Sequence, residues 1–201
     1  MKTVFFDIDS QLDFLFPAGA LYVPGAERIV PAIARLNRFA AAHGIPVIST
    51  ADAHAEDDPE FAQWPPHCVA GTLGQRKAPA TLLDGRVVIP NRDGDLALEG
   101  ARQIIVEKQT VDVFQCANLQ RIVDRLNAES YVVYGVVTEI CVLYAARGLL
   151  QTGRPVTVVT DAVETLKAED SERALAEMCS RGGRLATVAE ICGAGAFACQ
   201  L

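Results

Sequence analysis

The sequence predicts one α/β domain of three layers, in which helices flank a central, mostly parallel sheet of about six strands. Short apolar segments rich in β-branched residues alternate with segments of helical periodicity, and this alternation favours a parallel sheet with helices on both faces. The chain has 201 residues, of which 50% are hydrophobic, so it is long enough for one sizeable core. Since it contains no internal repeat and no low-complexity linker, we expect residues 1–201 to form a single domain.

Apolar periodicity and the residues at segment ends assign the individual elements. Six strands are predicted, at Thr3–Ile8, Pro46–Thr50, Gln103–Glu107, Tyr131–Val137, Pro155–Thr160 and Leu185–Val188, and Val87–Pro90 is a candidate for one more short strand. Helices are predicted at Ala26–Ala42, Ala117–Asn127 and Ser171–Arg181, in the segment that begins at Glu139, and in a tail from Ala189 to Leu201. The region Ala51–Gly85 is rich in Pro, Asp and Gly, and a loop of this length inside a compact domain is usually functional.

Composition narrows the range of partners. The formal net charge is -7 and the basic residues form no run, so we expect neither nucleic acid nor an anionic membrane surface as a partner. No apolar stretch reaches membrane-spanning length, and the N-terminus does not have the pattern of a signal peptide. The six cysteines are irregularly spaced without a C-x-x-C pair, which predicts reduced thiols and a cytoplasmic location.

The segment YVVYGVVTEICVLYAARG, residues 131–148, joins a buried strand to a helix. Thr138 occupies the position of a helix N-cap, and Cys141 follows it by three residues. A thiol near the positive end of a helix is stabilised as the thiolate, which is the nucleophilic form. The alternative is that Cys141 is a small buried apolar residue, as free cysteines often are.

Charged residues follow two further strands at the same edge of the predicted sheet. The first strand ends in FFDIDSQLDF, with Asp7, Asp9 and Asp13, and alternation along a strand predicts that Asp7 and Asp9 share a face. Such a D-x-D pair suits a magnesium-dependent phosphatase, although the three acids could equally cap the following turn. Lys108 follows the predicted strand Gln103–Glu107. It is either a salt-bridge partner or, beside a cysteine, a group that stabilises a thiolate.

The long loop after the second strand contains metal-binding residue types. Asp52 and His54 are spaced so that both side chains can face one point from an extended chain, and Glu60 and His67 lie further along the loop. Two imidazoles and two carboxylates suit zinc, iron or manganese. The alternative is that these residues are ordinary polar groups of a solvated loop.

Other residues of this loop have less specific interpretations. Trp64 is the only tryptophan, and it either covers the core or stacks on a planar ligand. Asp57 and Asp58 precede Pro59 and are expected to form a solvated turn.

In combination, these segments resemble the nicotinamidase/pyrazinamidase branch of the isochorismatase-like cysteine hydrolases, from Val4 to about Val163. The resemblance is carried by DIDSQLDF from Asp7, GALYVPGA from Gly19, DAH from Asp52 with WPPHCVAGT from Trp64, and GVVTEICV from Gly135. The metal segment is found in nicotinamidases, whereas isochorismatases generally lack it. The sequence departs from the family pattern at Leu12, where Asn is common, and at Glu60, where some members have histidine. Phe114 and Gln115 lie where ring-binding residues vary.

The resemblance implies an isochorismatase-like, Rossmann-like fold and a role for each matching residue. It assigns catalysis to Asp9, Lys108 and Cys141, the oxyanion hole to the backbone N–H groups of Val137 and Cys141, the metal to Asp52, His54, Glu60 and His67, and the wall of the substrate site to Phe14, Trp64 and Phe114. It makes Asp9 rather than Asp7 the catalytic carboxylate, and it implies a cis peptide between Val136 and Val137.

The implied reaction is hydrolysis of nicotinamide to nicotinate and ammonia through a thioester, as in NAD salvage. One divalent metal ion is implied, with zinc ahead of iron or manganese, and the protein is expected to be a homo-oligomer. Three alternatives remain at this point. They are a different small-amide or ureide hydrolase of the same superfamily, a magnesium-dependent phosphatase that uses Asp7 and Asp9, and a metal-binding or scaffold protein without catalysis.

Overall fold

The structure, a computed structural model, describes residues 2–193. Its sheet has seven strands in the order β3-β4-β2-β1-β5-β6-β7, and every neighbouring pair is parallel. The strands are β1 (Thr3–Ile8), β2 (Val47–Asp52), β3 (Arg86–Ile89), β4 (Gln103–Lys108), β5 (Ser130–Gly135), β6 (Val156–Val163) and β7 (Arg184–Ala186). The predicted α/β class is confirmed, with one strand more than the six expected, because the candidate near Val87 does pair with β4.

Helices cover both faces of this sheet, as predicted. They are α1 (Leu12–Leu15), α2 (Val30–Ala42), α3 (Leu119–Leu126), α4 (Leu143–Gln151), α5 (Ala168–Ser180) and α6 (Val188–Cys192). Because side chains alternate along a strand, Phe5 packs with α2 and α6, whereas Phe6 packs with α3, α4 and α5. The part of the predicted tail beyond Gly193, which includes Cys199, lies outside the described residues.

The segment around the candidate nucleophile differs from its prediction. β5 ends at Gly135 rather than at Val137, and the peptide between Val136 and Val137 is cis, as the resemblance implied. A π-helical turn, Thr138–Val142, then precedes α4. Thr138 does not cap this helix, because its hydroxyl donates to the carbonyl of Glu164 instead.

The prediction that Asp7 and Asp9 share a face is wrong. β1 ends at Ile8, and Asp9 follows it with a φ of 47°, in the left-handed region, so the strand alternation does not extend to Asp9. The Asp7 carboxylate lies on the α2 face, where it accepts hydrogen bonds from Ser49 and Asn37. The two carboxylates therefore take separate partners.

The loop from residue 53 to residue 85 is tied to the sheet rather than extended into solvent. It contains two short 3₁₀ turns, Pro59–Ala62 and Pro79–Thr81. The buried ammonium of Lys77 donates to the carbonyl of Thr50 at 2.9 Å and lies 3.5 Å from Asp7. Within residues 2–193, no helix is both long and apolar enough to cross a membrane.

Polar residues are buried beneath α2 and form hydrogen bonds with one another. The side chain of Asn37 donates to the carbonyl of Thr81 at 2.6 Å and to Asp7 at 3.2 Å, and it accepts from the hydroxyl of Tyr134 at 2.5 Å. Asn37 and Tyr134 are both 0% exposed. This network connects α2, β1, β5 and the long loop, since each of its members belongs to a different one of these segments.

Replacing Tyr134 by Phe should reduce the free energy of unfolding by about 1–3 kcal/mol, because the buried oxygen of Asn37 loses its donor. Urea unfolding of the purified protein measures the change. The matched control is Tyr22→Phe, since Tyr22 bonds Glu27 nearer the surface and its loss should be smaller. Equal losses in the two variants would contradict the importance of the buried network.

An ion pair between Arg147 on α4 and Glu177 on α5 predicts a pH-dependent contribution to stability. Arg147 donates to both carboxylate oxygens of Glu177, at 2.7 and 2.6 Å, and this lowers the pKa of Glu177 from 4.5 to about 2. The folded state therefore holds the proton less tightly than the unfolded state, so the stabilisation is present above pH 4.5 and is lost as the pH falls towards 2.

The stability difference between the wild type and Glu177→Gln should accordingly shrink over that pH interval. Urea unfolding of both proteins across the interval measures it. A difference that stays constant as the pH falls would contradict this account.

Candidate active site

The carboxyl ends of three central strands bring the predicted catalytic groups together. Asp9 follows β1, Lys108 ends β4, and Cys141 lies in the turn after β5. The ammonium nitrogen of Lys108 lies 3.0 Å from Oδ2 of Asp9 and 3.7 Å from Sγ of Cys141. β1 and β5 are the strands where the order of the sheet changes direction, and α/β proteins place ligand sites in the crevice at such a point.

Lys108 also contacts a fourth group, the carboxylate of Asp52 at the end of β2, through a short hydrogen bond to Oδ1. Burial acts to lower the pKa of Lys108, but the carboxylates of Asp52 and Asp9 outweigh it and raise that pKa. Burial likewise acts to raise the pKa of Asp52, but Lys108 and two histidines lower it below its ordinary value. Lys108 therefore stays an ammonium and Asp52 a carboxylate.

Asp9 is held in place by the neighbouring strand. Its backbone N–H donates to Oγ1 of Thr50 at 3.0 Å, and the same hydroxyl donates back to Oδ1 at 2.6 Å. Burial raises the pKa of Asp9, and the opposing effects of Lys108 and Thr50 do not cancel this rise. Asp9 is therefore a stronger base than an exposed aspartate and is fixed beside the thiol.

Cys141 differs from the sequence prediction in its protonation state. Burial raises the pKa of the thiol well above its ordinary value, and the carboxylates of Asp9 and Asp52 add to the rise, whereas Lys108 opposes it. The expectation that the helix terminus favours the thiolate of Cys141 does not hold, because burial outweighs that effect. The raised pKa of Cys141 thus favours the thiol over the thiolate.

An apolar cavity opens above Cys141, with about 390 Å³ free of protein atoms including its open mouth. The cavity is lined by Phe14, Leu21, Val23, Asp52, Glu60, Trp64, His67, Val111, Val137, Ile140, Cys141 and Leu166. Polar groups converge on one side, and aromatic and aliphatic side chains form the rest of the wall.

Three of the four predicted metal-binding residues converge beside this cavity. Asp52, His54 and His67 are buried, and one candidate ligand atom from each lies within 4.8 Å of the others. The Nε2 atoms of His54 and His67 lie 3.9 and 3.8 Å from Oδ2 of Asp52. These distances exceed a hydrogen bond, so each nitrogen faces the carboxylate without bonding it.

The surroundings of the two ring nitrogens in each histidine also suit metal ligation through Nε2. Nδ1 of His67 donates to the carbonyl of Pro65 at 2.8 Å, which leaves a lone pair on Nε2. Nδ1 of His54 lies 3.0 Å from Asp58, while its buried Nε2 has no hydrogen-bond partner among residues 2–193. Asp58 is therefore a neighbour of a candidate metal ligand, in addition to forming part of the turn that was expected.

Two predicted site residues, Glu60 and Phe114, do not take the positions that the resemblance implied. Glu60 lines the cavity, where burial and Asp52 raise its pKa, but it is not part of the close group of Asp52, His54 and His67. Phe114 is not among the residues that line the cavity. Its ring packs against the backbone of Gly148 on α4, where an added Cβ would lie 2.1 Å from the ring. Phe14 and Trp64 do line the cavity.

Two further buried polar residues, Gln11 and Asp13, belong to the DIDSQLDF motif and support the site, although no role in the site was predicted for them. The amide of Gln11 donates to the carbonyl of Asp52 at 2.8 Å and accepts from its N–H at 2.7 Å, so it fixes the backbone of Asp52. The carboxylate of Asp13 accepts from the N–H groups of Cys68 and Ala20 and thereby joins two loops. Both residues follow Asp9 closely at a sheet edge, where burial of a polar group is costly. This position was the sequence signal that could have predicted their supporting role.

Comparison with known proteins agrees with this arrangement. The sequence profile described as "Isochorismatase domain" matches residues 3–190. A nicotinamidase of Escherichia coli K12 is 26% identical over 204 residues, covering 91% of this chain and 93% of that protein.

Solved structures give the same result. A pyrazinamidase of Pyrococcus horikoshii in complex with zinc has a TM-score of 0.78 and 29% identity, covering 93% of this chain and 99% of that one. A pyrazinamidase/nicotinamidase of Streptococcus mutans has a TM-score of 0.78 and 26% identity, covering 92% and 99%. The chain therefore belongs to the isochorismatase family, on the branch of its nicotinamidase-like hydrolases.

Proposed function

We propose that the chain hydrolyses nicotinamide, through a thioester on Cys141, to nicotinate and ammonia. The observation that carries the proposal is that one buried ammonium, Lys108, contacts Asp9, Asp52 and Cys141 directly beneath an apolar cavity. The names of the similar proteins from Escherichia coli and Pyrococcus horikoshii support a pyridine or pyrazine carboxamide as the substrate.

The first half of the reaction forms the thioester. Asp9 takes the thiol proton of Cys141 as sulfur attacks the carboxamide carbon, and Lys108 stabilises the negative charge on sulfur. Asp9 then delivers the proton to the departing nitrogen, the C–N bond breaks, and ammonia leaves. The raised pKa of Asp9 makes its carboxylate a better acceptor for the thiol proton, and the raised pKa of Cys141 means that the thiol requires such a base.

The second half regenerates the enzyme. Water attacks the thioester carbonyl while Asp9 again accepts a proton, and the C–S bond breaks as Asp9 returns that proton to sulfur and the carboxylate product leaves. The backbone N–H groups of Val137 and Cys141 are assigned to the developing oxyanion in both halves. Both residues line the cavity, which is where the carbonyl oxygen would lie.

Asp52, His54 and His67 are assigned to a divalent metal ion, with zinc preferred and Glu60 at the edge of the group. When bound, the ion would supply a ligand position for the ring nitrogen, directly or through water, and so orient the substrate. The side chains of Phe14 and Trp64 are assigned to the faces of the ring. Phe114 is not retained in this role, since its ring packs on α4.

Among the alternatives, a different amide or ureide hydrolase of the same family differs from the proposal only in substrate. Ammonia release from a panel of carboxamides and ureides separates the two. The phosphatase alternative loses its basis, because Asp7 lies in the network under α2 and Asp9 has no carboxylate partner from β1. A non-catalytic metal-binding role is disfavoured by the contact between Lys108 and Cys141. Cytoplasmic location, a homo-oligomeric state and the absence of nucleic-acid or membrane partners stay predictions.

Replacing Cys141 by Ala should lower kcat for nicotinamide by about a thousandfold or more, because the thioester can no longer form. The fold should persist, since the change removes one atom at the cavity wall. Ammonia release and circular dichroism measure the two effects. Cys179→Ala is the matched control, because Cys179 is exposed on α5 and should leave turnover unchanged. Substantial amidase activity in Cys141→Ala would rule out the thioester mechanism.

Replacing His54 by Ala should reduce the metal content and raise KM together, because Nε2 of His54 is one of three convergent ligand atoms. Elemental analysis of the purified protein measures the metal independently of activity. His43→Ala serves as the control, since His43 lies at the exposed end of α2. A stoichiometric metal ion in His54→Ala would show that the ligand set is wrong.

A further inference from the structure

We infer that Glu139 is a positioning residue that holds residues 164–167 over the cavity, and that Leu166 in this segment limits the size of the amide that reaches Cys141. We call residues 164–167 the roof segment. The inference rests on the proposed function for the identity of the substrate, but not for access to the thiol. Neither Glu139 nor Leu166 has a role in the chemical steps described above.

The carboxylate of Glu139 is bonded to three consecutive residues of the roof segment. Oε1 accepts from the backbone N–H of Leu166 at 3.0 Å and from that of Lys167 at 3.2 Å, and Oε2 accepts from the hydroxyl of Thr165 at 2.7 Å. A carboxylate that accepts several hydrogen bonds makes stronger contacts than a neutral acceptor would. One side chain, that of Glu139, thus holds three consecutive residues of the roof segment.

The preceding residue, Thr138, anchors the start of the same segment. Its backbone N–H and its hydroxyl both donate to the carbonyl of Glu164, at 2.9 and 2.8 Å. This pair of bonds explains why Thr138 is buried and why it does not act as a helix cap. Two adjacent side chains therefore tie the roof segment to the turn that carries Cys141.

The side chain of Leu166 lies at the mouth of the cavity. It lines the cavity together with Val137 and Ile140, which come from the turn around Glu139, yet it remains 38% exposed. A large apolar side chain that is partly exposed at a cavity mouth has one side on the wall and the other in solvent. Its position, and hence the width of the mouth, depends on the backbone that Glu139 holds.

The chemistry of this arrangement predicts a size limit rather than a catalytic effect. Without the carboxylate, the N–H groups of Leu166 and Lys167 would bond water, and the roof segment would sample positions further from Ile140. Small amides would still react, because Asp9, Lys108 and Cys141 do not contact the roof segment through any hydrogen bond between described residues. Amides with an additional substituent on the ring would gain access.

The first test measures access to Cys141 without any substrate. Purified protein is treated with iodoacetamide or with the bulkier N-phenylmaleimide, and labelling at each cysteine is followed by peptide mass spectrometry. Cys179, which is exposed on α5, is the internal reference. Glu139→Ala and Leu166→Ala should each raise the ratio of bulky to small labelling at Cys141 by about tenfold, which is the lower end of the discrimination that one methylene group gives.

Conservative and unrelated variants separate positioning from a general structural role. Glu139→Gln should keep the wild-type ratio, because its carbonyl can accept from both N–H groups while Thr165 accepts from the amide. Leu185→Ala is the control for Leu166→Ala, since Leu185 is also a partly exposed leucine but lies on β7, away from the cavity. If Glu139→Ala does not fold, Thr165→Val weakens the same contact and should raise the ratio to a smaller extent.

The second test compares kcat/KM for nicotinamide and for a nicotinamide with a bulky ring substituent. Leu166→Ala should raise the relative kcat/KM of the bulkier amide by a similar factor, with the change in KM rather than in kcat. An unchanged labelling ratio in Glu139→Ala, Thr165→Val and Leu166→Ala would overturn the inference. If the ratio rises but neither amide is hydrolysed by the wild type, the roof segment stands and the proposed substrate fails.

Discussion

The structure of the site depends on one buried ammonium, that of Lys108, and on the charges that surround it. An isolated charge in a protein interior is costly, so an ammonium that is 1% exposed needs anionic partners with good geometry. Asp9 and Asp52 provide them, from the ends of two neighbouring strands. The same charge lies 3.7 Å from the sulfur of Cys141, where negative charge would develop if the thiol lost its proton. The interaction that makes burial of these groups tolerable therefore also places a positive charge beside the thiol of Cys141.

Asp52 links this cluster to the candidate metal group, because its two oxygens face different partners. Oδ1 bonds Lys108, whereas Oδ2 faces the Nε2 atoms of His54 and His67. The amide of Gln11 holds the backbone of Asp52 on both its donor and its acceptor side. A displacement of Asp52 would therefore disturb both the cluster around Lys108 and the candidate metal group.

The turn after β5 combines several tasks in a few residues. Gly135 begins it with a φ of 121°, and it lies so close to β1 that an added Cβ would be 2.0 Å from the carbonyl oxygen of Ile8. Thr138 and Glu139 then hold the roof segment, and Cys141 reaches the cavity. The positions of Cys141 and of the cavity mouth are therefore set by the same backbone.

The sequence by itself determined the α/β class, the main strands, the family resemblance and the residues that meet at the sheet edge, because periodicity and the ends of parallel strands are local properties. Only the tertiary structure decided what each residue faces. It separated Asp7 from Asp9, because a positive φ at Asp9 ends the alternation. It placed Phe114 on Gly148 and outside the cavity, and it gave Cys141 a raised pKa, because burial and two carboxylates outweigh Lys108. Contacts between distant segments, such as that of Glu139 with residues 165–167, depend on packing that no local pattern encodes.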